Sequence, residues 1–173
     1  MKKDNWTIKI IVMAFMISFV FSSLSETIMP KVSLIPSIII LIIFILIGII
    51  FDMIGVAITT CDIKPFHSMS SKRIKYANTG IKLINNSAKV SSFCNDVIGD
   101  ICGIVSGGVA AIIGLLLAIK YGFSQVITII IISSIISSLT VGGKAIGKKI
   151  AIKNSDEIVF YVAKVLSNFK SQK

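Results

Sequence analysis

The sequence predicts an all-α integral membrane protein with four transmembrane helices, a cytoplasmic helical hairpin and a C-terminal juxtamembrane helix. Three observations carry that expectation. The 173 residues are 54% hydrophobic and only 15% charged, where soluble domains hold roughly 25% charged residues, and the mean hydropathy is +0.92. Four long stretches, 10–25, 32–51, 101–119 and 121–143, contain no charged residue. The basic residues crowd some connecting segments and avoid others. A helix of about 20 residues reaches about 30 Å, the thickness of a bilayer's hydrocarbon core.

The first span falls in an N-terminal segment, residues 1–30, and is the shortest. Lys9 can snorkel to the interface, and residues 25–29 can extend the helix. Lys2, Lys3, the apolar stretch and Ser23-Leu24-Ser25 also have the outline of a secretory signal, but the residues at the cleavage position suit a retained span better. Residues 31–173 form the second part, with spans at 33–58, 98–119 and 122–143.

Residues 66–94 form the hairpin between the second and third spans. Pro65 is its one breaker, and Ser68 offers an N-cap ahead of Met69. Ile74, Ala77, Ile81 and Ile84 make an apolar stripe, with Lys72, Lys75 and Lys82 opposite and Arg73 near the border. Asn85-Asn86-Ser87 reads as a turn, after which Ser87 can cap a short helix towards Phe93. Such a hairpin is expected on the membrane surface, its lysines among anionic headgroups.

In the fourth span Ser134, Ser138 and Gly142 recur every four residues, beside Ser133 and Ser137. Serines in lipid serve helix packing or bond to their own backbone; lining a hydrated path is the alternative. Gly142-Gly143, followed by Lys144, Lys148 and Lys149, marks the cytoplasmic boundary. A juxtamembrane helix over 155–169 follows, with Ser155 as N-cap and Asp156 and Glu157 in the first turn. Ile158, Val162, Val165 and Phe169 form its apolar face.

Lysine and arginine placement sets the orientation. Six basic residues lie in 59–97, seven in the tail from Lys144, and three (Lys2, Lys3 and Lys9) at the N-terminus; Lys31 and Lys120 stand alone in the other two loops. A multi-pass protein of a bacterial inner membrane, both termini cytoplasmic, satisfies every segment. The net charge of +10 is then a topology signal, and no aromatic–basic interleaving suggests nucleic acid as a partner. Cys61, Cys94 and Cys102 fall near the cytoplasmic side, where thiols stay reduced. No nucleophile motif, phosphate loop or metalloprotease helix appears, so an enzyme is not expected, nor is a bound cofactor.

Two carboxylates interrupt this apolar pattern. Asp52 shares a helix face with Gly48, Gly55 and Thr59, and Asp100 shares one with Gly103, Gly107, Ala111 and Gly114. An acid at membrane depth faces protein or water, and small residues let helix backbones approach. Both acids therefore point to a polar site between helices. Asn95 and Asp96, one turn before Asp100, suit a cytoplasmic vestibule.

From Phe51 to about Leu166 the chain resembles the transmembrane domain of the CorC/cyclin-M magnesium and cobalt efflux proteins. Phe51 to Ala57, then Thr59-Thr60, stand where that family has F-F-S-G-S-E-T-A. The basic hairpin follows. Ile98-Gly99-Asp100 is similar to the I-G-N step, and Gly143-Lys144-Ala145-Ile146-Gly147-Lys148 to G-E-I-L-P-K. The resemblance implies transport of Mg²⁺ or Co²⁺ and a homodimer or membrane partner. Its Ser, Asn and Glu ligand positions fall on Asp52, Asp100 and Lys144, with the acid of the S-E-T step replaced by Gly55. Asp52 and Asp100 are then the metal ligands and Lys144 a counter-charge. The competing expectations are a structural ion pair at these residues and a non-transporting membrane subunit derived from the same domain. The family's cytoplasmic nucleotide-sensing CBS domains have no counterpart within the 173 residues.

Overall fold

The computed structural model describes residues 6–28 and 33–170. Lys2, Lys3, Lys31 and Lys173, four of the topology charges, lie outside the described residues, as do the side chains of Phe169 and Lys170. The described elements are all helical: α1 Trp6–Ile28, α2 Leu34–Thr60, α3 Lys64–Ser71, α4 Ala77–Asn85, α5 Ser87–Ser92, a π-helical segment Phe93–Gly99, α6 Asp100–Tyr121, α7 Gln125–Lys153 and α8 Ser155–Lys170. Four helices are long and apolar enough to cross a membrane, and the third runs unbroken from Ser87 to Tyr121.

Three local expectations change. Pro65 lies in the first turn of α3, where its missing N–H breaks no helical bond, so it starts a helix and leaves Ser68 inside it. α7 does not stop at Gly142-Gly143 but continues to Lys153, since a helical glycine costs only about 1 kcal/mol. α8 buries Val159 and Ala163 and leaves Val165 53% exposed, so its inner face is rotated from the expected one. The stop of α6 fits its sequence. Gly122, at φ 70°, takes the left-handed conformation, and the Phe123 N–H donates to the Ala118 carbonyl at 3.0 Å, closing the helix end.

The chain divides into two compact units, residues 1–49 with 97–143 and residues 50–96 with 144–173. In the first, Leu41 of α2 is buried, as are Val105, Val109 and Ile113 of α6. Close approach is built on small residues. A Cβ at Gly114 would lie 2.8 Å from the Ile129 Cα of α7, and one at Gly48 would lie 3.1 Å from the Cys102 Cβ. The outward faces stay apolar: Phe15 and Phe19 of α1, and Val126 and Leu139 of α7, are each more than 60% exposed. Exposed apolar surface on this scale is foreign to water-soluble monomers.

In the second unit Ala57 and Ile58 of α2, Phe66 of α3, Ala151 of α7 and Val159 of α8 form the core. Ile81 and Ile84 of α4 pack on it, and Tyr76 meets Phe160 edge-on, ring centroids 5.3 Å apart. The apolar stripe of the hairpin therefore packs against protein. Lys72, Arg73, Lys75, Lys82 and Lys89 remain exposed.

Candidate functional site around Asp52

Asp52 lies in α2, within a helix whose neighbours are almost all apolar. It is only 3% exposed. Its Oδ2 stands 3.4 Å from the Lys148 Nζ of α7 yet accepts no hydrogen bond. The pair is thus held by charge, at a distance beyond the roughly 2.7–2.9 Å of a charge-assisted hydrogen bond. Lys148 itself is 49% exposed along its side chain, against 5% for Asp52.

One turn on from Asp52, Gly55 meets the side chain of Asn95, and a Cβ there would overlap the Asn95 amide. Three residues advance a helix by about 4.5 Å, so the Asn95 amide and the Asp52 carboxylate occupy adjacent levels of one helix face. The Asn95 Nδ2 donates to the Ser91 Oγ at 3.3 Å, whereas its Oδ1 is buried without a donor. Asn95 belongs to the π-helical segment Phe93–Gly99. An i→i+5 turn widens the helix locally and recurs at functional sites.

The other expected residues distribute as follows. Asp96 is exposed and accepts a 2.6 Å hydrogen bond from the Ser92 Oγ, one turn back on its own helix. Asp100 is exposed at the start of α6, in the first unit, and is engaged in an interaction of its own. Lys144 is half-buried and likewise engaged. The ammonium at 3.4 Å from Asp52 is that of Lys148, which the sequence offered as a boundary marker and as the end of the G-E-I-L-P-K-like segment, not as a counter-charge. Lys144 and Lys148 are four residues apart and share a helix face, so periodicity alone could not choose between them.

The small-residue stripes separate in the same way. Gly48 and Gly55 both sit under neighbouring side chains, but a Cβ at Gly103 or Gly107 would have nothing within 4 Å. The hydroxyls return to their own helices. The Ser106 Oγ donates to the Gly103 carbonyl at 3.0 Å, the Ser138 Oγ to the Ile135 carbonyl at 2.8 Å, and the Thr59 Oγ1 to the Val56 carbonyl at 2.8 Å.

Among the described residues no group of three or more His, Cys, Asp and Glu side chains comes together. The oxygens offered around Asp52 are those of a carboxylate and an amide, which suit hard cations such as Mg²⁺ rather than thiolate- or imidazole-seeking metals. Cys61 and Cys94 are free thiols. The Cys61 Sγ–H, just beyond α2, donates to the Asp156 Oδ1 at 3.1 Å. Burial first, and then Asp156 and Asp62, push that thiol up to about 12 from 9.0. Comparison with protein-family models, with curated proteins and with solved structures gives no match.

Proposed function

We propose that this chain is a multi-pass membrane protein of the bacterial inner membrane that moves a divalent cation, Mg²⁺ first, past Asp52. The supporting observation is the pair of buried oxygens on adjacent levels of one helix face, Asp52 Oδ2 and Asn95 Oδ1, neither of which has a hydrogen-bond donor. A carboxylate within a spanning helix is costly, up to about 2.5–3.5 kcal/mol at the helix centre on insertion scales, and such groups mark ion paths by default. A cation there would take the Asp52 carboxylate and the Asn95 carbonyl oxygen and keep several waters, as Mg²⁺ habitually does. The resemblance to CorC/cyclin-M proteins supports the same reading, with Lys144 a further counter-charge and Asp100 a second carboxylate to test. The bare Gly103–Gly107 face of α6 suits a second copy of the chain.

A second reading has its own observation. Asp52 already carries a cation of the protein, Lys148, and a permanent ion pair would make the chain a non-transporting membrane subunit. Flux decides between them. Purified protein in dye-loaded proteoliposomes should pass Mg²⁺ and Co²⁺, and Asp52→Asn should abolish the flux while inserting normally; Asp100→Asn tests the second carboxylate. No flux from a folded wild-type preparation would favour the subunit, and with it co-purification of a stoichiometric membrane partner.

A further inference from the structure

We infer that Lys148 is a protein-borne competitor for the cation. Its ammonium holds the Asp52 carboxylate while no divalent ion is bound, and it withdraws to solvent when one enters. The inference rests on the reading of Asp52 as a cation site and adds the device that regulates it.

Three features of the pair point this way. The first is looseness. At 3.4 Å, with no hydrogen bond to Oδ2, the contact lacks the short directional bonds of a fixed buried pair. The second is asymmetry. Asp52 is locked in the helix at 5% side-chain exposure, whereas Lys148 is half exposed on a flexible four-carbon stem. The lysine can leave without opening a cavity in the core; the carboxylate cannot. The third is surplus acceptor capacity. An ammonium carries three donors, yet Asp52 Oδ2 and Asn95 Oδ1 receive none. A divalent ion has no directional donor requirement and can draw on both oxygens.

Exchange also limits the build-up of positive charge. Asp52 with Lys148 sums to zero, and Asp52 with a bare divalent ion to one positive charge, so withdrawal of the ammonium avoids three positive charges against one carboxylate. A site occupied by its own lysine binds the incoming ion more weakly in proportion to that occupancy. Weak binding suits an ion that must leave again.

The test is Co²⁺ binding to the full chain in detergent, measured by equilibrium dialysis. Lys148→Gln should bind Co²⁺ about tenfold or more tightly than wild type, if the lysine holds the site nine-tenths of the time. Lys149→Gln, an equal loss of charge at the next, exposed residue, should leave affinity unchanged. Asp52→Asn should remove binding in either background. A Lys148→Gln protein that binds no tighter than wild type, while Asp52→Asn still abolishes binding, would overturn the competition and leave the cation site standing. No Co²⁺ binding by wild type or by Lys148→Gln would overturn both. If Lys148→Gln does not fold, the wild type answers alone. Acylation of the Lys148 amine, quantified by peptide mass spectrometry, should accelerate with Co²⁺ while that of Lys149 does not; equal rates at Lys148 with and without Co²⁺ would overturn the inference.

Discussion

At the scale of single residues the chemistry is decided by what surrounds a group, not by its type. Cys61 is half-buried, yet its thiol faces two carboxylates: it donates to the Asp156 Oδ1 at 3.1 Å, and Asp62 adds a second negative charge. With the thiol pushed up to about 12, the thiolate fraction at pH 8 falls about a thousandfold below that of an ordinary thiol, and the greater nucleophilicity of a more basic thiolate recovers only part of this. Alkylation of Cys61 should therefore run at least about tenfold slower than that of an exposed cysteine at pH 8. The sign is testable by pH. The rate should still climb through pH 10, where an unperturbed thiol has levelled off. Asp156→Asn removes an acceptor and a charge, so it should shift the profile downward in pH, though not fully to 9.0, because burial is the largest cause. Iodoacetamide kinetics followed by mass spectrometry would show it. Asp52 shows what a sequence reveals at this scale. A charge inside an apolar run is conspicuous by itself, whereas Lys148 is one of several lysines beyond the run, and only the packing of α7 against α2 singles it out.

Elements are set by whether a backbone neighbour is present, and two glycines of one stripe show this. Gly114 lies against the backbone of α7, where an added Cβ would fall 2.8 Å from the Ile129 Cα. Overpacking costs about 1–3 kcal/mol, more than the ~1 kcal/mol that alanine gains over glycine in a helix, so Gly114→Ala should destabilise. Gly107 has nothing within 4 Å, and there the propensity gain of up to about 1 kcal/mol stands unopposed. Gly107→Ala should therefore raise the unfolding midpoint of the detergent-solubilised monomer, followed by circular dichroism. A lowered midpoint would mean that Gly107 is packed within the monomer. The sequence marked Asp100, Gly103, Gly107, Ala111 and Gly114 as one stripe, because periodicity reports which residues share a face and not what lies opposite. The long helices were legible for the reason that their charge-free runs are long. Their ends were less so: Gly142-Gly143 resembles a stop, but α7 continues because Gly147 and Ala151 are buried. The hairpin's stripe was legible but its protein partner was not, since α8 and α2, which supply apolar surface to it, are distant in sequence.

For the whole molecule, the deciding quantity is apolar area that no protein covers. Phe15, Phe19, Val126 and Leu139 are more than 60% exposed on helices long enough to span. Fully covering a side chain of this size is worth about 1.5–3 kcal/mol, so the chain should stay with membranes through an alkaline carbonate wash and leave them only with detergent. Release by carbonate alone would mean a peripheral helical bundle. Orientation follows from charge. The segment 59–97 carries six basic residues and the tail from Lys144 seven, against one each near 31 and 120, and lysine and arginine are retained on the cytoplasmic side. A fluorescent-protein fusion at the C-terminus should glow, and alkaline phosphatase fused after Gly122 should be active while a fusion after Asn86 is not. The opposite pattern would place the α3–α4 lysines and the Asp52–Lys148 pair on the outer side. Cation entry would then begin from the other face of the membrane, with Lys148 withdrawing away from the cytoplasm instead of into it.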